Sequence, residues 1–396
     1  MSAPLSADAG TGFYFLEKGA VKLKISRIDV FPLRLPMKQN FLITGGSVGG
    51  VDQGAPHVYV RVVDDQGVEG WGEARPSHRW SDETLESVVT TLRRYIAPAL
   101  TGVDAEDLET VHRIMNREIK GALGIGQPIA KAAVDTALHD LIGKGRNVRL
   151  SGLWLGPFRD TLRLSYLIST PDPEEAAEKA RHAREAGFRG VDVKIGLDPR
   201  RDVEVLEAVK AAAPDLFFRV DANQAYTLPQ AVRLAKRMEA LGVDVFEQPL
   251  PAGDLFGHAE LRRKIHLPVA LDESVWTPGD VIRAVRLGAC DAIVVKCTKM
   301  GGLSGAKRCG EIAREAGLEL LGGGLTESSL GLAASAHLFN YLGIETPVDL
   351  NGPFFLKEDP VREGPQILQG GTVRLPDRPG IGCRVEEADV ERYLAE

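Results

Sequence analysis

The chain opens with runs whose apolar residues recur at the two-residue period of a half-buried strand. They lie at residues 21–35, then at 57–65 and 68–74, which meet at Asp65-Gln66-Gly67, a hairpin signal. Helical periods follow, the last over 128–144. Strands succeeded by helices indicate an α+β unit. Between the first strand and the hairpin, residues 44–54 are rich in glycine. A loop of this make-up serves either as a lid over a site or as a loose hairpin end.

From about residue 162 the texture changes. Short apolar runs alternate with amphipathic helices roughly every 25 residues, the size of a βα unit. Strands are expected at 164–168, 191–195, 217–221, 243–247, 269–272, 292–297 and 318–321, with a short eighth run at 347–350. Helices between them include 173–186, 228–241 and 305–316. Seven or eight such units with near-continuous apolar strands predict a parallel barrel. An open doubly wound sheet often carries a glycine-rich turn after its first strand. Ser169-Thr170-Pro171 stands there instead. The organisation expected is an N-terminal extension over 1–20, an α+β capping domain over 21–147 with a lid near 41–56, a barrel over 148–355, and a C-terminal segment over 356–396 that packs back on the cap.

Composition narrows the function classes. The 396 residues are 44% apolar and 26% charged, with a net charge of −7. No basic cluster of the kind that tracks a phosphate backbone is present, so nucleic acid is not an expected partner. No run approaches the roughly 20 apolar residues of a membrane span. No signal peptide is read at the N-terminus. Cys290, Cys297, Cys309 and Cys383 form no CxxC pair, which argues against a zinc-thiolate site and fits a reducing cytoplasm.

In a βα barrel the chemistry sits at the C-terminal ends of the strands. Three successive expected strands end in Arg-Val-Asp221, Phe-Glu247 and Leu-Asp272, spaced by 26 and 25 residues. A single carboxylate at a strand end is often a helix N-cap. Three in register with the barrel period converge on one point, where they would repel one another unless a cation neutralised them. All-oxygen ligation favours Mg²⁺, with Mn²⁺ as the alternative, over zinc.

Lys194 and Lys296 end the second and sixth strands, inside apolar runs where lysine is rarely buried without a purpose. Strands four apart in an eight-stranded ring face each other. A carboxylate substrate on the metal would then have one lysine on each face of its α-carbon. The bland alternative is that each lysine pairs with a metal carboxylate.

Together these residues resemble the enolase superfamily, in the muconate lactonizing enzyme branch of the mandelate racemase/muconate lactonizing enzyme family. The strings that carry the likeness are Val-Lys194-Ile-Gly, Val-Asp221-Ala-Asn223, Phe-Glu247-Gln-Pro, Leu-Asp272-Glu273-Ser, Lys296 followed by Gly301-Gly302-Leu303, Thr-Glu327-Ser-Ser and Val-Asp349-Leu-Asn-Gly-Pro. They span nearly the whole chain. The resemblance implies a (β/α)₇β TIM-type barrel behind an α+β cap. It implies Mg²⁺ on Asp221, Glu247 and Asp272, and Lys194 with Lys296 as acid and base. Asp192, Asn223, Glu273, Glu327 and Asp349 are candidate pocket or acid residues. A small-molecule carboxylate is the expected partner, and a homo-oligomer the expected assembly.

One position departs from the pattern. Relatives usually carry a second lysine where this chain has Asp192. Residues two apart on a strand share a face, so Asp192 is expected beside Lys194. Arg219, on the same face as Asp221, is expected to neutralise it. The reaction class stays open at this point: an isomerase (cycloisomerase, racemase or epimerase), a dehydratase with Lys296, Asp349 or His78 as the acid, or an inactive metal-binding homologue. Gly322-Gly323-Gly324 fits either an anion cradle or a close backbone approach. His139, Trp71 and Trp80 read first as packing residues.

Overall fold

The computed structural model describes residues 23–121, 124–155 and 159–395. The expected N-terminal extension lies outside them. Strand β1 (Ile25–Leu35) leads into a small hairpin, β2 (Phe41–Ile43) and β3 (Gly46–Gly49), and then into β4 (Ala55–Asp64) and β5 (Glu69–Ala74). β1, β4 and β5 form an antiparallel sheet in that order. The turn between β4 and β5 is fixed by local chemistry. Asp64 Oδ1 accepts the N–H groups of Gln66 and Val68 at 2.9 and 2.7 Å, and Gly67 takes φ +85°.

Helix Pro128–Gly145 covers one face of this sheet. Val58, Val60 and Val62 of β4 pack with Ala133, Val134 and Ala137 of the helix, all fully buried. Two glycines let the helix come this close to β5. A Cβ at Gly72 would lie 2.0 Å from Ala133 O, and one at Gly70 would lie 2.1 Å from Ala137 O. The expected polar loop at 44–54 is thus partly ordered as β3 of the small hairpin. It is tied to the barrel through Thr44 Oγ1, 3.3 Å from both Ile195 O and Ala222 O, and through Ser169 Oγ, which donates to Leu42 O at 2.6 Å.

The second part is the barrel. After β6 (Thr161–Arg163) come β7 (Tyr166–Ile168), β8 (Gly190–Lys194), β9 (Phe217–Asp221), β10 (Val245–Glu247), β11 (Val269–Leu271), β12 (Ala292–Val295) and β13 (Glu319–Gly322). The last seven form a parallel sheet in unbroken sequence order. The eighth run, expected at 347–350, closes the ring by single bridges: Val348 with Leu164 on one side and Asp349 with Gly323 on the other.

The first expected strand, 164–168, is divided. Leu164 N bonds Gly371 O while Ser165 N bonds Val348 O, so the chain changes partners between these residues. Upstream, β6 pairs with the tail strand Thr372–Arg374. The C-terminal segment therefore reaches both parts. It also returns to β1, where Arg34 N bonds Tyr393 O and Ala395 N bonds Pro32 O. No helix among the described residues is long and apolar enough to cross a membrane.

Candidate active site

Strand parity and register decide which side chains share the barrel mouth. Lys194, Asp221 and Glu247 stand in one row across β8, β9 and β10. Asp192 and Arg219 sit two residues earlier on β8 and β9 and face the same way. Asp272 and Lys296 follow β11 and β12 by one residue. These residues and Asp349 are all buried.

Buried charges need partners, and here they find one another. Lys194 Nζ lies 2.8 Å from Asp221 Oδ2, 3.2 Å from Asp349 Oδ2 and 3.3 Å from Asp192 Oδ2. Burial opposes its charge, yet these carboxylates and Glu247 hold the ammonium well above the ordinary lysine range. Lys296 Nζ lies 2.6 Å from Asp272 Oδ2 and 4.9 Å from the centre of the Trp80 ring. Trp80 in turn packs on Trp276 at 5.3 Å. Asp272 is held well below the usual carboxylate range, because Lys296 and Lys299 outweigh its burial.

The expected Asp192–Arg219 pairing is only partly realised. Arg219 Nε is 3.6 Å from Asp192, but its close bond goes to Glu247, and its Nη1 donates to Gly322 O at 2.9 Å. Lys194 is the nearer cation to Asp192. Burial drives the Asp192 carboxyl well above its usual range despite both cations.

Among the described residues, no three carboxylate, histidine or cysteine groups yet stand as a ready metal cage. Asp221, Glu247 and Asp272 are turned onto lysine and arginine instead. The donor set still fits a hard divalent cation. Acids outnumber cations in the mouth: Asp192, Asp221, Glu247, Asp272, Glu273 and Asp349 face Lys194, Arg219, Lys296 and Lys299. Glu247 Oε1, Asp192 Oδ1 and Glu273 Oε2 are buried without a hydrogen-bond partner. Burial, Asp272 and Asp221 push the Glu273 carboxyl up to about 8. A cluster in which two acids are forced towards their neutral forms and carboxylate oxygens are orphaned is one that a divalent cation would complete.

A cavity at the mouth is lined by Lys194 and Lys296 together with Asp221, Asn223 and Asp349. Glu273 and Glu327 do not line it. Glu273 takes the Asn223 amide at 3.2 Å, whereas Glu327 is held in its own turn by Leu325 N and Thr298 Oγ1, both at 2.7 Å. His78 is exposed and outside the lining, and His139 is buried against Trp154. The glycine run serves close approach. A Cβ at Gly323 would lie 2.8 Å from Lys296 Cε, and one at Gly324 would lie 2.3 Å from Glu327 Oε2.

Three contributors escape a reading of the sequence. Lys299, fully buried, sits 2.8 Å from Asp272 Oδ1; its signal is a second lysine three residues after Lys296. Asn351, two residues after Asp349, lines the cavity. Trp80 arrives from the cap, and no local signal places it over Lys296.

The chain is similar to known proteins over most of its length. A family model described as "Enolase C-terminal domain-like" matches residues 175–389, and the mandelate racemase/muconate lactonizing enzyme N-terminal domain matches 37–156. An N-succinyl-L-Arg/Lys racemase of Bacillus cereus is 31% identical over 367 residues, covering 92% of this chain and 96% of that protein. Its crystal structure superposes with a TM-score of 0.87 at 29% identity over 94% of this chain and 99% of the other. A dipeptide epimerase of Enterococcus faecalis, solved with Mg and L-Leu-L-Tyr, gives a TM-score of 0.84 at 28% identity over 91% and 99%. Muconate cycloisomerase 1 of Rhodococcus opacus is 33% identical over 347 residues, 85% of this chain and 91% of the other. The expected family is thus found, but the expected muconate branch is a more distant match than the racemases and epimerases of N-succinyl amino acids and dipeptides. What these matches share is the family, and the chain belongs to the mandelate racemase/muconate lactonizing enzyme family of the enolase superfamily.

Proposed function

We propose that this enzyme is an isomerase that removes the proton from the carbon beside a carboxylate and returns it, with Lys194 and Lys296 as the acid/base pair. The observation that carries this reading is that both buried lysines line one cavity, on β8 and just past β12, with the three carboxylate-bearing strands between them. Racemase, epimerase and cycloisomerase relatives support the same class.

Asp221, Glu247 and Asp272 would hold Mg²⁺, with Mn²⁺ as the alternative ion. When bound, the metal spreads the negative charge that builds on the substrate carboxylate as the neighbouring C–H bond breaks. The protein side of the reaction follows from the two lysines. The carboxylates that hold both lysines as ammonium ions, Asp221 and Asp272, are ones a bound cation would engage. In the loaded enzyme one amine would then be neutral and take the α-proton, a C–H bond breaking as an N–H bond forms. The ammonium on the opposite face then gives its proton to the same carbon, which inverts the centre. Trp80 packs over the Lys296 ammonium, its ring centre 4.9 Å from Nζ.

Solvent exchange tests the reading. The Mg²⁺-loaded enzyme in D₂O, given a panel of amino-acid derivatives, muconates and acid sugars, is expected to place deuterium at the α-carbon of a carboxylate. Lys194→Ala and Lys296→Ala are each expected to abolish inversion and to remove exchange for the enantiomer whose α-proton faces the missing lysine. Exchange that survives both substitutions would sink the assignment.

A further inference from the structure

The two lysines at the mouth are held by unequal means, and the weaker hold is completed from the cap. Lys194 Nζ meets three carboxylates, Asp221, Asp349 and Asp192, at 2.8, 3.2 and 3.3 Å. Of these, Asp221 alone belongs to the donor set for the divalent cation. Lys296 differs. Among the described residues its one carboxylate partner is Asp272, at 2.6 Å. Asp272 is a member of that donor set, and its other oxygen is taken by Lys299 at 2.8 Å. A lysine stem is flexible, and a single shared contact does little to fix where its Nζ sits.

A second contact comes from Trp80. Its ring centre lies 4.9 Å from Lys296 Nζ, the geometry of a cation–π contact, and both residues line the mouth cavity. The ring is itself braced. Trp80 packs on Trp276 with centres 5.3 Å apart, and Trp276 Nε1 donates to Glu273 O at 2.7 Å, which fixes that indole just past β11. The turn that carries Trp80 is closed on Ser77 O, which accepts from Trp80 N at 2.9 Å and from Ser81 N at 2.8 Å. The same turn meets the lid hairpin, where a Cβ on Gly45 would lie 2.4 Å from Arg79 O. Lid, turn and barrel thus converge on the ring over Lys296.

We propose that Trp80 is a positioning residue for Lys296: its ring face holds the Nζ in place towards the reacting carbon, and it does so for that lysine alone. This rests on the reading of Lys194 and Lys296 as the acid/base pair. A ring that only walled the cavity would serve both faces of the carbon equally. A ring that positions Lys296 governs the proton on that lysine's face and spares the other, because Lys194 keeps Asp192 and Asp349.

α-Deuterium exchange on the Mg²⁺-loaded enzyme, run separately on the two α-epimers of amino-acid derivatives, reads the two faces apart. Lys296→Ala identifies the epimer whose proton Lys296 handles. Trp80→Leu is expected to lower kcat for exchange of that epimer by at least about tenfold, with KM little changed, while the other epimer stays within a few-fold of the parent. Trp80→Phe keeps an aromatic face and is expected to recover most of the loss. An equal fall for both epimers overturns the positioning role, as does a rise in KM with kcat unchanged, or a one-sided fall that phenylalanine does not relieve. The crystal structure of Trp80→Leu needs no turnover and so separates this proposal from the proton-transfer reading. Lys296 Nζ is expected to move by about 1 Å or more, a displacement large enough to matter at a reacting centre. A Lys296 side chain left in place overturns the proposal whether or not any derivative exchanges. A displaced Nζ in a protein whose parent exchanges nothing removes the proton-transfer reading and leaves the placement of Lys296 by Trp80 standing.

Discussion

Two buried polar regions of this molecule are built on opposite terms. At the seam between cap and barrel, Glu73 of β5 is fully satisfied. Its Oε1 takes His57 Nδ1 at 2.5 Å and Ser328 N at 2.9 Å, and its Oε2 takes Ser328 Oγ at 2.6 Å and Gly331 N at 2.9 Å. The carboxylate thereby caps the N-terminus of helix Ser329–Leu342, where the helix dipole favours negative charge. Burial opposes the charge, but His57 and Ser328 hold the carboxyl below its usual range. At the mouth, by contrast, Glu247, Asp192 and Glu273 each keep an orphaned oxygen. At the seam the orphan is one ring nitrogen, His57 Nε2, while both oxygens of the carboxylate are used; at the mouth the carboxylates themselves keep empty lone pairs, which mark a site that a ligand would complete.

Removing the metal should break the mouth and spare the seam. Chelation is expected to abolish α-proton exchange and Mg²⁺ to restore it. Mg²⁺ at about 100 times its Kd should also stabilise the fold by about 2.7 kcal/mol, read as a rise in Tm. A Tm indifferent to Mg²⁺ would contradict a donor set completed by the ion. Next in size, Lys296→Ala is expected to cost about 10³-fold in kcat, the middle of the range for a positioned acid or base, with little change in Tm.

Substituting one acid in each region sharpens the contrast further. Glu73→Gln removes the charge from several short bonds at once and is expected to lower stability by about 2 kcal/mol, measured by denaturant unfolding, with kcat within a few-fold of the parent. In metal-free protein, Asp192→Asn should change stability by less than about 1 kcal/mol, because burial already drives this carboxyl towards its neutral form and the amide keeps its size. A larger loss from Asp192→Asn than from Glu73→Gln would reverse the distinction.

Much of the mouth is legible in the sequence because barrel geometry ties chemistry to strand ends. Asp221, Glu247 and Asp272 fall one βα unit apart, and Lys194 and Lys296 interrupt apolar runs, so period and composition together point to them. The partner choices are not legible. Arg219 reaches Glu247 rather than Asp192 first, although register sets it directly opposite Asp192 on β8 and two residues below Glu247 on β10. Trp80 meets Lys296 across more than two hundred residues of sequence, and the ordered hairpin β2–β3 depends on contacts such as Thr44 with Ile195 O that no local pattern reports. The first barrel strand misleads for a similar reason. Its residues read as one mostly apolar run, but the backbone N–H groups pass from the tail at Leu164 to the eighth run at Ser165.

The smallest expected effect lies midway along the helix that Glu73 caps. His337 is fully buried; its Nε2 bonds Ile381 O at 3.3 Å, while its Nδ1 has no partner. It is thus satisfied on one side only. Burial, with Arg149 nearby, lowers its pKa to about 4. The unfolded chain protonates near pH 6.5, so the neutral ring's contribution is fully present above that value and is lost as pH falls towards 4. Stability is expected to drop by about 1 kcal/mol between pH 7 and 5.5 through this residue. His337→Gln keeps a donor for Ile381 O and has no proton to gain, so its unfolding free energy should be flatter over that interval. An equal slope in both proteins would place the acid sensitivity elsewhere. It would also show that a half-satisfied group can sit in this seam at no cost, which would weaken the reading of orphaned atoms at the mouth as a mark of function.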